Sequence, residues 1–390
     1  MKILNTIRKS EGEWLAKVRH EFHQIPEIGL NEHNTTKKII NYMKSFGYEI
    51  DTSIYKTGLV ATLKNGKGKT VGIRADIDGL PIEEKTGLAY ASTNGAMHAC
   101  GHDGHITMAI GAAKYLAKTK KFNGNVKFIF QPAEEAFNGA KKLIQNGLFK
   151  KHHFDNIVGL HGMPTCLMKP ETKDYAIAFL HEPNKALMAS VDAFSVKFIG
   201  QGGHSSAPEN SIDPIPAALE FSQSIYLIRE RIVPSVNRTV LSVCQIAAGS
   251  AHNVIPNEVI IQGSLRTQDE QIRKLFMEKI RQFAKLTANK WNLKFVFQSE
   301  GLPPLVSDPT INDKAIKIAR EYLGPENVFD AVQLMGSEDF PLYGKHVPTA
   351  FGLVNTGNQE IVHNPKYDFA DKALPTGVSF FIGYVEKTLK

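Results

Sequence analysis

Met97-His98-Ala99-Cys100-Gly101-His102-Asp103-Gly104-His105 gathers one thiol, three imidazoles and a carboxylate into nine residues, with small residues between them. Cys100 and His102 are two apart and would share a face of a regular strand, but chelation from a tight loop suits the pair better. Ala99, Gly101 and Gly104 let the backbone bend close to an ion without a side-chain clash. Thiolate, imidazole and carboxylate together favour zinc or a neighbouring divalent transition metal over calcium or magnesium. The competing reading is a redox or catalytic cysteine beside ordinary loop histidines.

Glu134-Glu135 is the second signal. The pair follows an apolar strand, where desolvation and mutual repulsion are costly unless a cation or a proton intervenes. A metal bound by one carboxylate supplies the cation, and the other can then act as general base toward an attacking water. His161 and His363 are single histidines in polar surroundings, and taken alone each reads as an ordinary surface histidine.

The elements that must position these groups alternate between helices and apolar strands. Leu15, Val18, Phe22 and Ile25 recur at helical spacing before Pro26, and a second helix is expected from an Asn34 cap to Gly47. Strands are expected over residues 59–63 and 71–75, joined by the turn residues Asn65-Gly66. A helix follows at 106–116, then further strands at 126–130 and 157–160. This pattern predicts an α/β layer with a buried, mostly parallel sheet. Asp76, Asp78, Glu134, Glu135 and His161 then fall just after strand ends, the edge where open α/β sheets bind ligands.

Near residue 184 the pattern changes. Phe194, Val196 and Phe198 alternate with Ser195 and Lys197, and the order strand-helix-strand-strand-helix-strand that follows is ferredoxin-like. Residues 186–302 are therefore expected to form an inserted α+β lid or dimerisation domain, and 1–185 with 303–390 a discontinuous metal-binding catalytic domain. Gly200-Gln201-Gly202-Gly203 lacks the Lys-Ser/Thr of a phosphate loop, which argues against nucleotide binding.

The 390 residues suffice for two cores, and an apolar share of 42% with a charged share of 22% suits a soluble globular enzyme. The net charge of +7 comes without a basic run or aromatic interleaving, so no nucleic-acid partner is expected. Three cysteines, Cys100, Cys166 and Cys244, make no disulfide framework. The amino terminus lacks a signal peptide's apolar core and no run reaches the roughly 18 apolar residues of a membrane span. The expectation is a cytoplasmic protein without a membrane partner.

Six motifs carry a resemblance: Arg74-Ala75-Asp76-Ile77-Asp78-Gly79-Leu80-Pro81, residues 98–105, Gln131-Pro132-Ala133-Glu134-Glu135, Gly202-Gly203-His204, Asn253-Val254-Ile255-Pro256 and Gly336-Ser337-Glu338-Asp339-Phe340. In this order the chain resembles, from about residue 13 onward, the binuclear metal amidohydrolases. That family includes hippurate hydrolase, N-acyl-amino-acid amidohydrolases and plant auxin-conjugate hydrolases. The resemblance implies that Cys100, His102, Glu135, His161 and His363 hold two divalent ions (zinc, manganese, cobalt or nickel), with Glu134 as general base. Other members of the wider group carry a His-X-Asp ligand pair where this chain has Ala75 amid Arg74 and Asp76, so Asp76 and Asp78 are expected behind the ligands. Asn253 and Arg266 are expected to bind a substrate carboxylate, and His204 to stabilise the oxyanion, either across the subunit interface of a homodimer or by closure of its own chain's lid.

The expected activity is hydrolysis of an N-acyl amino acid to a carboxylic acid and a free amino acid. Three alternatives stand beside it: a dipeptidase or aminopeptidase on the same scaffold, a cysteine amidase using Cys100, and an inactive metal- or partner-binding homologue.

Overall fold

The structure, a computed structural model, describes residues 2–390. The chain forms two compact units. The first begins with α1 and runs to Leu187, and takes in Val306–Gln333 and Asp339–Lys390; the second is Met188–Leu305 with Leu334–Glu338.

In the first unit, α1 (Lys2–His23) and α2 (His33–Ser45) precede β1 (Glu49–Asp51), β2 (Leu59–Asn65) and β3 (Thr70–Asp76). α3 (His102–Thr119), β4 (Gly124–Gln131), β5 (Asn156–Met163) and β6 (Ile177–Phe179) follow. Strands Val328–Asp330 and Thr349–Asn355 complete a sheet of eight, in the order β1, β2, β4, β3, β5, Thr349–Asn355, β6, Val328–Asp330. The central neighbours β4, β3, β5 and Thr349–Asn355 are parallel. Every residue of β3, β5 and Thr349–Asn355 is buried, as expected of parallel strands covered on both faces. The α/β reading holds.

α3 carries the site residues at its start, and its burial explains why that start is fixed. Ile106, Met108, Ala109, Ile110, Ala113 and Leu116 are at most 1% exposed, packed against α1, β3 and the last helix, Leu374–Thr388. Burial of Ile106, Met108, Ile110 and Leu116 contributes on the order of 2 kcal/mol each, so the helix cannot shift without losing several of them.

Three local expectations are corrected. Asn34 does not cap α2, which starts one residue earlier. The Glu27 carboxylate accepts from the amides of Asn34 (3.1 Å) and Thr35 (2.9 Å) and from Asn34 Nδ2 (2.8 Å), doing the capping from outside the helix. β2 and β3 are consecutive but do not pair, because β4 lies between them, antiparallel to β2 and parallel to β3. His161 does not follow its strand; β5 continues to Met163, and His161 lies inside it opposite Leu353.

The second unit is a four-stranded antiparallel sheet, ordered Thr239–Ala248, Glu258–Thr267, Val191–Ile199, Lys294–Leu302. Helices Ile215–Ile232 and Glu270–Lys290 supply Phe221, Ile225, Phe276 and Ile280 to a core with Val196, Phe198, Val259 and Ile261. The half-buried strand Val191–Ile199 is central, and the edges are Thr239–Ala248 and Lys294–Leu302.

Candidate metal centre

Backbone geometry forces the site residues together at the carboxyl edge of the parallel strands. Gly101 is left-handed (φ 81°) and turns the chain so that His102 becomes the first residue of α3. A Cβ at 101 would also sit 2.9 Å from Phe369 Cδ2 and 3.0 Å from Tyr367 Oη. Two residues with side chains, Ala133 (φ 52°) and His363 (φ 69°), adopt the same region at some energetic cost. Glu32 holds the first by accepting from the Ala133 amide (2.8 Å), which sets the direction of Glu134-Glu135. The His363 amide donates to Ala99 O (2.8 Å), bringing that loop beside Cys100.

The result is several groups of potential ligands, two of which overlap at Cys100. Cys100, His102 and His161 form one and Cys100, Glu135 and His363 the other, and in each the donor atoms lie within 4.8 Å of one another. Cys100 Sγ is 3.5 Å from His161 Nε2. Glu135 Oε1 is 3.4 Å from His363 Nε2 and 3.8 Å from His102 Nε2. Glu134, 4% exposed, groups with His102 and Glu135 but not with the thiol. Six residues spread from position 100 to 363 are thus brought to one place.

The hydrogen bonds assign the protons. His161 Nδ1 donates to Gly162 O (2.8 Å), which leaves the Nε2 lone pair facing Cys100. His102 Nδ1 donates to Asp78, to its carbonyl at 3.0 Å and to Oδ1 at 3.1 Å. The other oxygen of Asp78 accepts from the Glu135 amide (3.0 Å), so one carboxylate orients two candidate ligands. His102 Nε2 and Glu135 Oε1 are buried and have no hydrogen-bond partner among the described residues. Burial, then Glu135, Glu134 and Asp76, push the Cys100 thiol well up. Burial opposes charge on His102, but Asp76, Asp78 and Glu135 outweigh it and raise the imidazole to about 10. A buried lone pair on His161, a Glu135 oxygen without a hydrogen bond and enough carboxylate to hold a proton on His102 are what divalent cations would satisfy, and the donor set fits them.

The remaining groups of the nine-residue motif face elsewhere. His105 donates from Nδ1 to Asp76 (2.6 Å) and accepts the Gly162 amide at Nε2 (2.7 Å), leaving no lone pair. Asp76 is also held by Arg74 (2.9 Å). Burial pushes His98 down to about 4, a neutral core imidazole. Asp103 pairs with Arg19 (3.0 Å) and His23 (2.8 Å). Sequence reasoning missed this last pair of partners, although Arg19 and His23 stand four apart beside the apolar stripe of Leu15, Val18 and Phe22 and so share a helix face with buried residues.

His204, Asn253 and Arg266 belong to the second unit. His204 is exposed on a two-residue strand that pairs with Val254, and the Ser205 amide donates to Asn253 O (3.1 Å), so His204 and Asn253 are neighbours. The Ser206 amide donates to His204 Nδ1 (3.2 Å), which leaves Nε2–H as an outward donor. Arg266 is half-buried and donates to Met335 O (3.1 Å) and Ser337 Oγ (3.0 Å), within the segment that carries the Gly336-Ser337-Glu338 motif.

Residues 72–387 match the model of peptidase family M20/M25/M40. The hippurate hydrolase of Campylobacter jejuni is 38% identical over the whole of both chains. An N-acetylcysteine deacetylase of Bacillus subtilis is 35% identical over 94% of each. A solved structure described as a dinuclear metal binding peptidase of the M20 family, from Bacillus subtilis, superposes with a TM-score of 0.83 at 33% identity, covering 98% of this chain and 99% of that one. The chain belongs to peptidase family M20/M25/M40, a family of hydrolases.

Proposed function

We propose that the protein is a two-metal amidohydrolase that cleaves N-acyl amino acids to a carboxylic acid and a free amino acid. The observation that carries this reading is the pair of overlapping ligand groups with Cys100 common to both. A thiolate at the shared position, with His102 and His161 on one side and Glu135 and His363 on the other, would hold two ions, each completed by water or substrate. Bound ions would supply Lewis acidity for the amide carbonyl and acidify the attacking water.

The chain's own residues do the rest. Glu134, buried and grouped with His102 and Glu135, takes the proton of the attacking water and returns it to the leaving nitrogen. The C–N bond breaks, water's oxygen joins the acyl carbon, and its hydrogen completes the amine. Asp78 keeps His102 and Glu135 oriented throughout. His204 offers Nε2–H to the developing oxyanion, and Arg266 with Asn253 recognises the amino-acid carboxylate. The hippurate hydrolase and N-acetylcysteine deacetylase names of similar proteins support an acyl-amino-acid substrate.

The second unit is read as a lid that also joins two copies. Support comes from edge strand Thr239–Ala248, with Val240 and Ile246 exposed, and helix Ile215–Ile232, with Leu219, Tyr226 and Leu227 exposed, a large apolar surface for a lone domain. The test is a hydrolysis screen of metal-reconstituted protein that varies acyl and amino-acid halves independently. Release of free amino acid from benzoyl or acetyl substrates is expected, and turnover of free dipeptides alone would replace the assignment with a dipeptidase. Mixing inactive His204→Ala and Glu134→Gln proteins should restore activity if His204 acts across the dimer; no recovery after verified subunit exchange rejects the trans arrangement.

A further inference from the structure

The side chain of Arg19, on α1, is fully buried away from the candidate ligands, yet it touches the backbone segments that carry them. Nη1 donates to Asp103 Oδ2 (3.0 Å) and to Asp368 Oδ1 (2.9 Å), and Nε to Asp371 Oδ1 (2.5 Å). Asp103 directly follows His102 in the first turn of α3. Asp368 lies five residues after His363, between Tyr367 and Phe369, two fully buried rings that close over Gly101. One guanidinium therefore ties the helix start bearing His102 to the loop bearing His363.

We propose that Arg19 is a positioning residue that sets the spacing between the two ligand groups, and that its loss selectively weakens the ion held by Glu135 and His363. The inference rests on the ligand reading given above. The asymmetry follows from what each segment keeps when Arg19 is lost. Asp103 keeps His23 (2.8 Å) and the Gly104 amide (2.9 Å), both inside the core. Asp368 and Asp371, 22% and 31% exposed, keep Tyr90 and His20, partners that share them with water. The helix start is also pinned by the packing of α3, whereas the His363 loop has the exposed His363 at its tip. A rigid planar fork with three anionic partners in place is not replaceable by lysine.

The experiment is a Co2+ titration of chelator-treated, full-length protein, followed by calorimetry and by elemental analysis of the loaded chain. Wild type should take two ions and His363→Ala one. Asp368→Asn and Arg19→Met should weaken the second ion about tenfold or more and leave the first within about twofold, a loss typical of outer groups that orient metal ligands. Asp368→Asn keeps Arg19 on Asp103 and preserves side-chain shape, so it remains informative if Arg19→Met fails to fold. Equal weakening of both ions, or of neither, with wild type and His363→Ala as expected, overturns this inference alone. Wild type that takes fewer than two ions overturns the ligand reading and this inference with it.

Discussion

His102 and Asp103 are adjacent in sequence, yet their side chains enter two different buried clusters. At the start of a helix consecutive side chains diverge by about 100°, so one points to the carboxyl edge of the sheet and the other toward α1. Around His102 are Asp76, Asp78 and Glu135, with His102 Nε2 and Glu135 Oε1 left without a hydrogen bond among the described residues. Around Asp103 stand two cations, Arg19 and His23, and further carboxylates, Glu84, Asp368 and Asp371, each in contact with one of them. Burial penalises every charge in both clusters. In the second every carboxylate is paired with Arg19 or His23 of its own chain, whereas in the first Arg74 holds Asp76 but His102 Nε2 and Glu135 Oε1 have no hydrogen bond among the described residues. Equal burial thus yields a structural knot in one place and a candidate ion site in the other.

The largest effect that separates them is metal removal. Exhaustive chelation should reduce hydrolysis to background, and zinc, manganese, cobalt or nickel should restore it. The Arg19 cluster needs no ion, so the chelated chain should keep its far-ultraviolet dichroism and a cooperative melt. Full activity in demonstrably metal-free protein would leave Cys100 as a nucleophile and remove the distinction.

Next in size is the contrast within the paired glutamates. Glu134→Gln should lower turnover by about a hundredfold or more while metal content stays near that of wild type, since a general base is lost and no ligand is. Glu135→Gln should lower both, because its carboxylate groups with Cys100 and His363. Exchange of the two phenotypes, read by elemental analysis beside kinetics, would reverse the assignment.

The difference between the clusters also marks what the sequence discloses. Cys100, His102 and Glu134-Glu135 are legible because short-range spacing and strand ends advertise them. His161 and His363 are not, since a single histidine carries no local signal, and only family likeness singled them out. β5 hides His161 further by running past it to Met163. The knot escaped notice for a related reason: Arg19 meets Asp368 and Asp371 across some 350 positions, with nothing local to suggest the pairing. Periodicity likewise found the strands but not their order, because β4 enters between β2 and β3 from a later stretch of chain. The Asn34 cap failed because Glu27 reached the same amides from outside the helix.

The smallest expected effect tests whether the knot carries the charge assigned to it. Burial opposes protonation of His23, but hydrogen bonds to Asp103 and Glu84 outweigh it and raise the imidazole from 6.5 to about 9. A raised pKa favours the folded state while the group is protonated in both states, so its stabilisation is full below about 6.5 and fades as pH climbs through 9. On its partner the sign is opposite. Burial opposes charge on Glu84, yet contacts with His23, Thr86 and the Ser92 amide lower it from 4.5 to about 2, so that contribution is full above 4.5 and fades in acid. Between pH 6.5 and 9 the melting temperature of wild type should therefore fall by a few degrees more than that of His23→Gln, which cannot gain the proton. Comparing the two slopes cancels titrations common to both chains, including those of the candidate metal ligands. Parallel slopes would mean that His23 is neutral in the fold, leaving Asp103 and Glu84 without its charge and weakening the contrast between a knot paired within its own chain and a candidate ion site.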